Sequence, residues 1–295
     1  MKTTAQQLAY LDGCMSAYPQ ELRDAVAKHR TQEEDTVLSV IHQSKRSVCR
    51  LMVAGTKLQA EHPRLAHMPV FFEKTPSATA EFTSTLHEQN VTNAIANETC
   101  GLAPLPLGAS DGVYRSEWVN GTTLSSLSPI PKRELSVVDM VRGVEPKPAT
   151  EAMASYWNHL ERAQAALDGL HDAGYYHGDA HLGNFMIEPN GTPRLVDLAR
   201  AEKLPGGQSG ENAKSKDFQT LAVESYRVCC LWPNAPAGRL RDLAQSIGKE
   251  KSGPSLQGSG AAMDQNVTLD GPSLDRTLSE TPELDVSLRE TVAMH

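Results

Sequence analysis

The stretch from Leu170 to Ala201, LHDAGYYHGDAHLGNFMIEPNGTPRLVDLARA, constrains this chain more than any other part of it. It closes the strongest helical pattern in the sequence, Glu151–Ala173, where Trp157, Leu160, Ala163, Leu167 and Leu170 recur at a period of about 3.6 residues. Gly174 stands where a helix ends on a left-handed glycine. Beyond it, the short apolar runs Phe185–Ile187 and Arg194–Leu198 flank Asn190-Gly191, a pair that favours a tight hairpin turn. The pattern predicts helix, loop and hairpin in that order. Loop and hairpin carry Asp179, Asn184 and Asp197, the last two at opposite ends of a hairpin that draws them together. Hard oxygen ligands at converging positions suit Mg²⁺, which keeps several waters and is shared with substrate phosphates. Asp179 is then left to orient and deprotonate an attacking hydroxyl.

Upstream, Val37–Ile41 and Val48–Ala54 read as a β-hairpin across HQSKRS, and Pro69–Glu73 as a third strand. Ala78–Asn97 reads as a helix with Phe82, Leu86, Val91 and Ile95 on or near one face. Gly112–Val119 reads as a further strand, ending in the turn Asn120-Gly121. Strands with one helix come first, then mostly helices with one hairpin. The expected fold class is α+β with two lobes: an N-lobe antiparallel sheet over residues 36–119 and a reduced, mainly helical C-lobe over 120–248. Residues 1–35 read as a polar N-terminal extension, helical around Thr4–Tyr10 and Pro19–His29. Residues 249–295 read as a disordered tail. No aromatic residue follows Trp232, and the tail holds half of the chain's net charge of −8, too little apolar surface to offset ordering entropy.

The acidic balance, 36 Asp+Glu against 28 Lys+Arg, argues against a general nucleic-acid binder. No apolar run approaches the roughly 20 residues of a membrane span, and the N-terminus lacks the apolar core of a signal peptide. Five cysteines without a CxxC pair frame neither a disulfide scaffold nor a zinc site. The expectation is a monomeric, cytoplasmic-type protein without a membrane span.

His177-Gly178-Asp179, followed after four residues by Asn184, resembles the catalytic loop of the protein-kinase-like superfamily, and Asp197-Leu198-Ala199 resembles its metal-binding motif 18 residues on. The resemblance implies Asp179 as catalytic base, Asn184 and Asp197 as Mg²⁺ ligands, and ATP as co-substrate. It implies Lys74, ending PVFFEK, as the lysine on the nucleotide α/β-phosphates, and Glu88 as its helix partner, with Glu81 as competitor. Ser116–Val119 resembles the interlobe hinge, so Glu117 and Val119 would offer backbone groups to the adenine edge. Asp217 resembles the aspartate that braces the catalytic loop's amides, against the plainer reading of an N-cap. The sequence departs from the pattern where no glycine occurs between Gly13 and Gly55. The turn at 42–47, with Ser44 or Ser47, would then cover the phosphates. Gly178 replaces the arginine that normally receives an activation-loop phosphate, and only 19 residues separate Asp197 from Asp217.

Three functions follow from the resemblance. The first is a compact Ser/Thr protein kinase without an activation segment, similar to the effector kinases that pathogenic bacteria secrete, with a host protein among its candidate substrates. The second is a small-molecule kinase of aminoglycoside, choline or lipopolysaccharide-sugar type. HGDAHLGN favours it, because His181 stands where Ser/Thr kinases carry a lysine. The third is a pseudokinase that binds without turnover.

Overall fold

The computed structural model describes residues 20–44, 47–76, 83–99, 101–110, 112–130 and 149–251. The helical piece expected around Thr4–Tyr10, Glu81, Phe82 and the tail beyond 251 lie outside the described residues.

The first half builds a sheet. Helix α1 (Gln20–His29) leads into β1 (Thr36–Gln43) and β2 (Ser47–Val53). Two short helices, α2 (Thr56–Glu61) and α3 (Pro63–His67), precede β3 (Val70–Pro76). Then come α4 (Thr83–Glu98), β4 (Pro106–Ser110) and β5 (Val113–Glu117). The five strands pair antiparallel in the order β1-β2-β3-β5-β4. Alternation along β3 sends Glu73 to one face, where Arg50 and Arg115 hold it at 3.3 and 3.1 Å, and Lys74 to the other. Val26 of α1 and Met68, Val70, Leu51 and Val53 form a buried cluster, so α1 packs on the sheet.

The second half is mainly helical. It runs through β6 (Thr122–Thr123), α5 (Leu124–Leu127) and α6 (Thr150–Asp172) to β7 (Tyr175–Tyr176). The hairpin β8 (Phe185–Ile187) and β9 (Pro193–Leu195) follows, then β10 (Glu202–Lys203), α7 (Gln208–Leu231) and α8 (Arg239–Lys251). Trp157, Leu160, Leu167 and Leu170 of α6 pack with Phe185, Leu195, Leu221 and Val228 in one core. Ile95 of α4 is buried in that same core, so α4 spans from the helical core to the sheet. The architecture is α+β, an antiparallel five-stranded sheet in the first half and a mainly helical second half.

Two local readings need correction. Leu86, expected on the buried face of α4, is 58% exposed; the inward stripe is Thr85, Glu88, Thr92 and Ile95. Hydrophobic phase misleads there because the helix turns a carboxylate, not a leucine, toward the sheet. The strand expected over Arg194–Leu198 stops at Leu195, because Asp197 is left-handed (φ 55°) and Leu198–Arg200 is a 3₁₀ turn. Asp217 is no N-cap: it sits in the middle of the 24-residue α7 and is buried.

Candidate active site

Strand β3, helix α4 and the turn after β9 converge on one cation. Lys74 Nζ donates to Glu88 Oε2 at 2.9 Å and to Asp197 Oδ1 at 2.8 Å. A separation beyond about 10 Å would have ruled out any shared phosphate between Lys74 and Asp197. Burial alone would lower the lysine's pKa, but the charges of Glu88 and Asp197 overcome it and raise it above its ordinary value. The two carboxylates differ sharply. The Glu88 side chain is 3% exposed, and its burial pushes its pKa up against the pull of Lys74. The Asp197 side chain is 49% exposed; burial of its carboxyl would raise its pKa, yet Lys74 holds it below the ordinary carboxylate value. One carboxylate is packed in place and the other remains open to a ligand.

The floor of the site is fixed from below. Asp217 accepts hydrogen bonds from the backbone amides of His177 (2.8 Å) and Gly178 (3.0 Å), and its Oδ2 also meets His171 Nε2 at 2.9 Å. Gly178 is left-handed (φ 73°), and a Cβ there would lie 2.5 Å from the carbonyl oxygen of Arg200. Glycine is the residue that permits this approach. The His177 ring is fully buried; burial lowers its pKa, with the Asp217 charge opposing. Asn184 is buried and donates Nδ2 to the Asp179 carbonyl at 2.9 Å, while its own carbonyl accepts from Val196 N at 3.0 Å. The base of the β8–β9 hairpin thereby ties Asp179, Asn184 and Asp197 into one neighbourhood. Asp197 is the one non-glycine residue among the described residues with positive φ, a conformation that costs of order 1–3 kcal/mol and clusters at working sites.

The β1–β2 turn and the end of β5 are held by other contacts. Ser44 and Ser47 close the β1–β2 turn on each other: Ser44 N donates to Ser47 O at 2.9 Å and Ser47 N to Ser44 Oγ at 3.1 Å. Glu117 ends β5, and its amide donates to Leu105 O at 2.8 Å. Its carboxylate is held by Arg194 of β9 and, at 3.4 Å, by Arg64 of α3. Val119 is buried just beyond.

The donor set fits Mg²⁺. No group of three or more His, Cys, Asp or Glu capable of holding a metal occurs among the described residues. One carboxylate and one amide oxygen would need phosphate oxygens and water to complete a shell, as Mg²⁺ prefers. With Nδ2 of Asn184 spent on Asp179, its Oδ1 is the atom left for a cation.

Sequence reasoning missed three residues here: His171, Arg194 and Arg200. Arg200 NH1 lies 3.4 Å from Asp179 Oδ2. Its position, three residues after Asp197, is the signal that was available.

No protein-family model matches the chain, and no curated protein matches it. Among solved structures, one that resembles it is a Rio2 kinase–ADP/Mg²⁺–phosphoaspartate complex from Chaetomium thermophilum. The TM-score is 0.46 at 16% identity, covering 77% of this chain and 65% of that one. The chain thus spans less than two thirds of that protein's length, and a likeness this distant carries no argument about activity. No helix among the described residues is long and apolar enough to cross a membrane.

Proposed function

We propose that this chain is an ATP- and Mg²⁺-dependent phosphotransferase acting on an alcohol group, and that it is a compact Ser/Thr protein kinase of the bacterial effector type. The observation that carries the reading is the lysine shared between Glu88 at 2.9 Å and Asp197 at 2.8 Å. Glu88 aims Lys74 at the nucleotide's α/β-phosphates, and Asn184 with Asp197 would hold the cation. Mg²⁺, when bound, would supply charge neutralisation at the transferring phosphoryl group. Asp179 receives the acceptor's hydroxyl proton. Glu117 and Val119 lie at the adenine edge, and the Ser44–Ser47 turn lies over the phosphates.

A protein acceptor is favoured because Asp179 is 36% exposed and only two helices, α7 and α8, follow the metal turn in the described C-lobe. A macromolecule brings its own enclosing surface. The second reading, a small-molecule kinase, is favoured by His181 in place of lysine. As a protein kinase it acts as a monomer, in the cytoplasm or in a host cell on a host protein, and without a loop phosphate.

The test incubates the full chain with γ-labelled ATP, with and without Mg²⁺, beside eukaryotic lysate and a panel of aminoglycosides, choline and sugars. Label in protein bands is expected. Asp197→Asn should abolish it, and Asp179→Ala should lower it on the order of 10²–10⁴-fold while ATP binding persists. Label confined to small molecules would establish the second reading. No Mg²⁺-dependent transfer to anything would overturn both.

A further inference from the structure

The acceptor side of the site carries a cation that the reading above does not use. Arg200 NH1 lies 3.4 Å from Asp179 Oδ2, with the two side chains 59% and 36% exposed. An exposed single-contact ion pair of this kind contributes roughly 0–1 kcal/mol, so stability does not account for it. The backbone beneath it is nonetheless tightly built. Asp197 is left-handed, Leu198–Arg200 is a 3₁₀ turn, the Arg200 carbonyl sits where a Cβ on Gly178 would clash, and His87 Nε2 meets the Ala201 carbonyl at 3.0 Å. Helix α4, the metal turn and the catalytic loop all fix where residue 200 is, while its guanidinium stays free to move.

Charge accounting gives that guanidinium a task. Lys74 is committed to Glu88 and Asp197. His181 stands where a lysine would follow the base, and it is turned into its own loop, its Nδ1 accepting from Gly183 N at 3.0 Å. A carboxylate that takes a hydroxyl proton gives up the charge that holds the guanidinium beside it.

We propose that Arg200 leaves Asp179 for the transferring γ-phosphoryl group and is the cation that stabilises it, supplied in cis from the metal turn. The proposal rests on the phosphotransferase reading. In the step, the acceptor oxygen bonds to Pγ, the Pγ–O bond to ADP breaks with its electron pair passing to the ADP oxygen, and the hydroxyl proton passes to Asp179. Arg200 takes no proton and donates hydrogen bonds to the equatorial oxygens. Reacting atoms in such a complex lie about 3–3.5 Å apart, so a rotamer change of a side chain already touching the base suffices to reach them.

Acceptor-free hydrolysis of ATP·Mg²⁺ by the full chain tests this, because water then replaces the unidentified acceptor. Arg200→Met should lower kcat on the order of 10²-fold while the Kd for ATP·Mg²⁺ stays within about twofold of wild type. Arg200→Lys should recover part of the loss, and added guanidinium should raise the rate of Arg200→Ala but not of wild type. Hydrolysis unchanged in Arg200→Met, including the case where only KM for an added acceptor rises, overturns the proposal and leaves the kinase reading standing. A wild-type chain with no Mg²⁺-dependent turnover overturns the kinase reading, and the Arg200 role falls with it. Circular dichroism melts of each variant should match wild type; a lowered melt for Arg200→Met would make the arginine a structural brace and also overturn the proposal.

Discussion

The floor and the roof of this cleft are held by different means. On the floor, one buried carboxylate, Asp217, accepts from two consecutive backbone amides and meets a histidine ring, so the loop that carries Asp179 is fixed from outside itself. In the roof, Ser44 and Ser47 bond mainly to each other, on a hairpin whose Val37, Val40 and Ile41 are exposed. A group that must meet a proton within tenths of an ångström needs rigid support. A turn that would only cover a bound nucleotide, as proposed for this one, needs no such support. The contrast teaches that rigidity is placed where the chemistry is expected, not spread over the site.

The largest effect should come from the floor. Asp217→Ala strands two amides and a buried imidazole, each costing about 1–3 kcal/mol when left unpaired. Chemical denaturation should show a loss of several kcal/mol, and hydrogen exchange should speed up selectively at residues 177 and 178. Wild-type exchange at those two amides would break the contrast.

An intermediate effect should appear as a pH dependence. Burial lowers the pKa of His177 from its ordinary 6.5, so near that pH the unfolded chain binds the extra proton. Stability contributed by the neutral ring is therefore full above about 6.5 and lost as pH falls below it, with a slope of up to about 1.4 kcal/mol per pH unit. Glu88, whose pKa burial raises, acts with the opposite sign. Comparing wild type with His177→Phe between pH 5 and 7 isolates the histidine; the stability difference should be flat at the upper end and move in the variant's favour as pH falls. Curves that stay parallel throughout would mean that folding leaves the ring's proton affinity unchanged.

The smallest effect belongs to the roof. Ser44→Ala should cost less than about 1 kcal/mol, the net worth of an exposed hydrogen bond, and raise KM for ATP a few-fold with kcat unchanged. A cost equal to that of Asp217→Ala would erase the difference between the regions.

The loop and hairpin that carry Asp179, Asn184 and Asp197 were legible in the sequence because their geometry is local. Asp179, Asn184 and Asp197 are tied by a short loop and an Asn-Gly turn, and Gly174 and Gly191 are both left-handed where turns were expected. The site also draws on contacts that no short window contains. Arg194 reaching Glu117 spans 77 residues, and His87 reaching Ala201 spans 114. Strand β4, Pro-Leu-Gly-Ala-Ser, has almost no β-propensity and exists because β5 pairs with it. Helices α2 and α3 are too short for a period to register. Leu86 was misphased for a related reason: where a helix faces a polar site, the inward residues stop being the apolar ones.

Gly178 has a consequence for how such a site can change over generations. A side chain at this position would have to adopt φ 73° and push against the Arg200 carbonyl. Arginine cannot be installed here by one replacement without moving the turn at 198–200 that lies over it. A basic side chain directly before Asp179 is thus excluded by shape as well as by sequence. Descendants of this chain would have to acquire control elsewhere, on surfaces that tilt one lobe against the other or draw residue 200 off its perch.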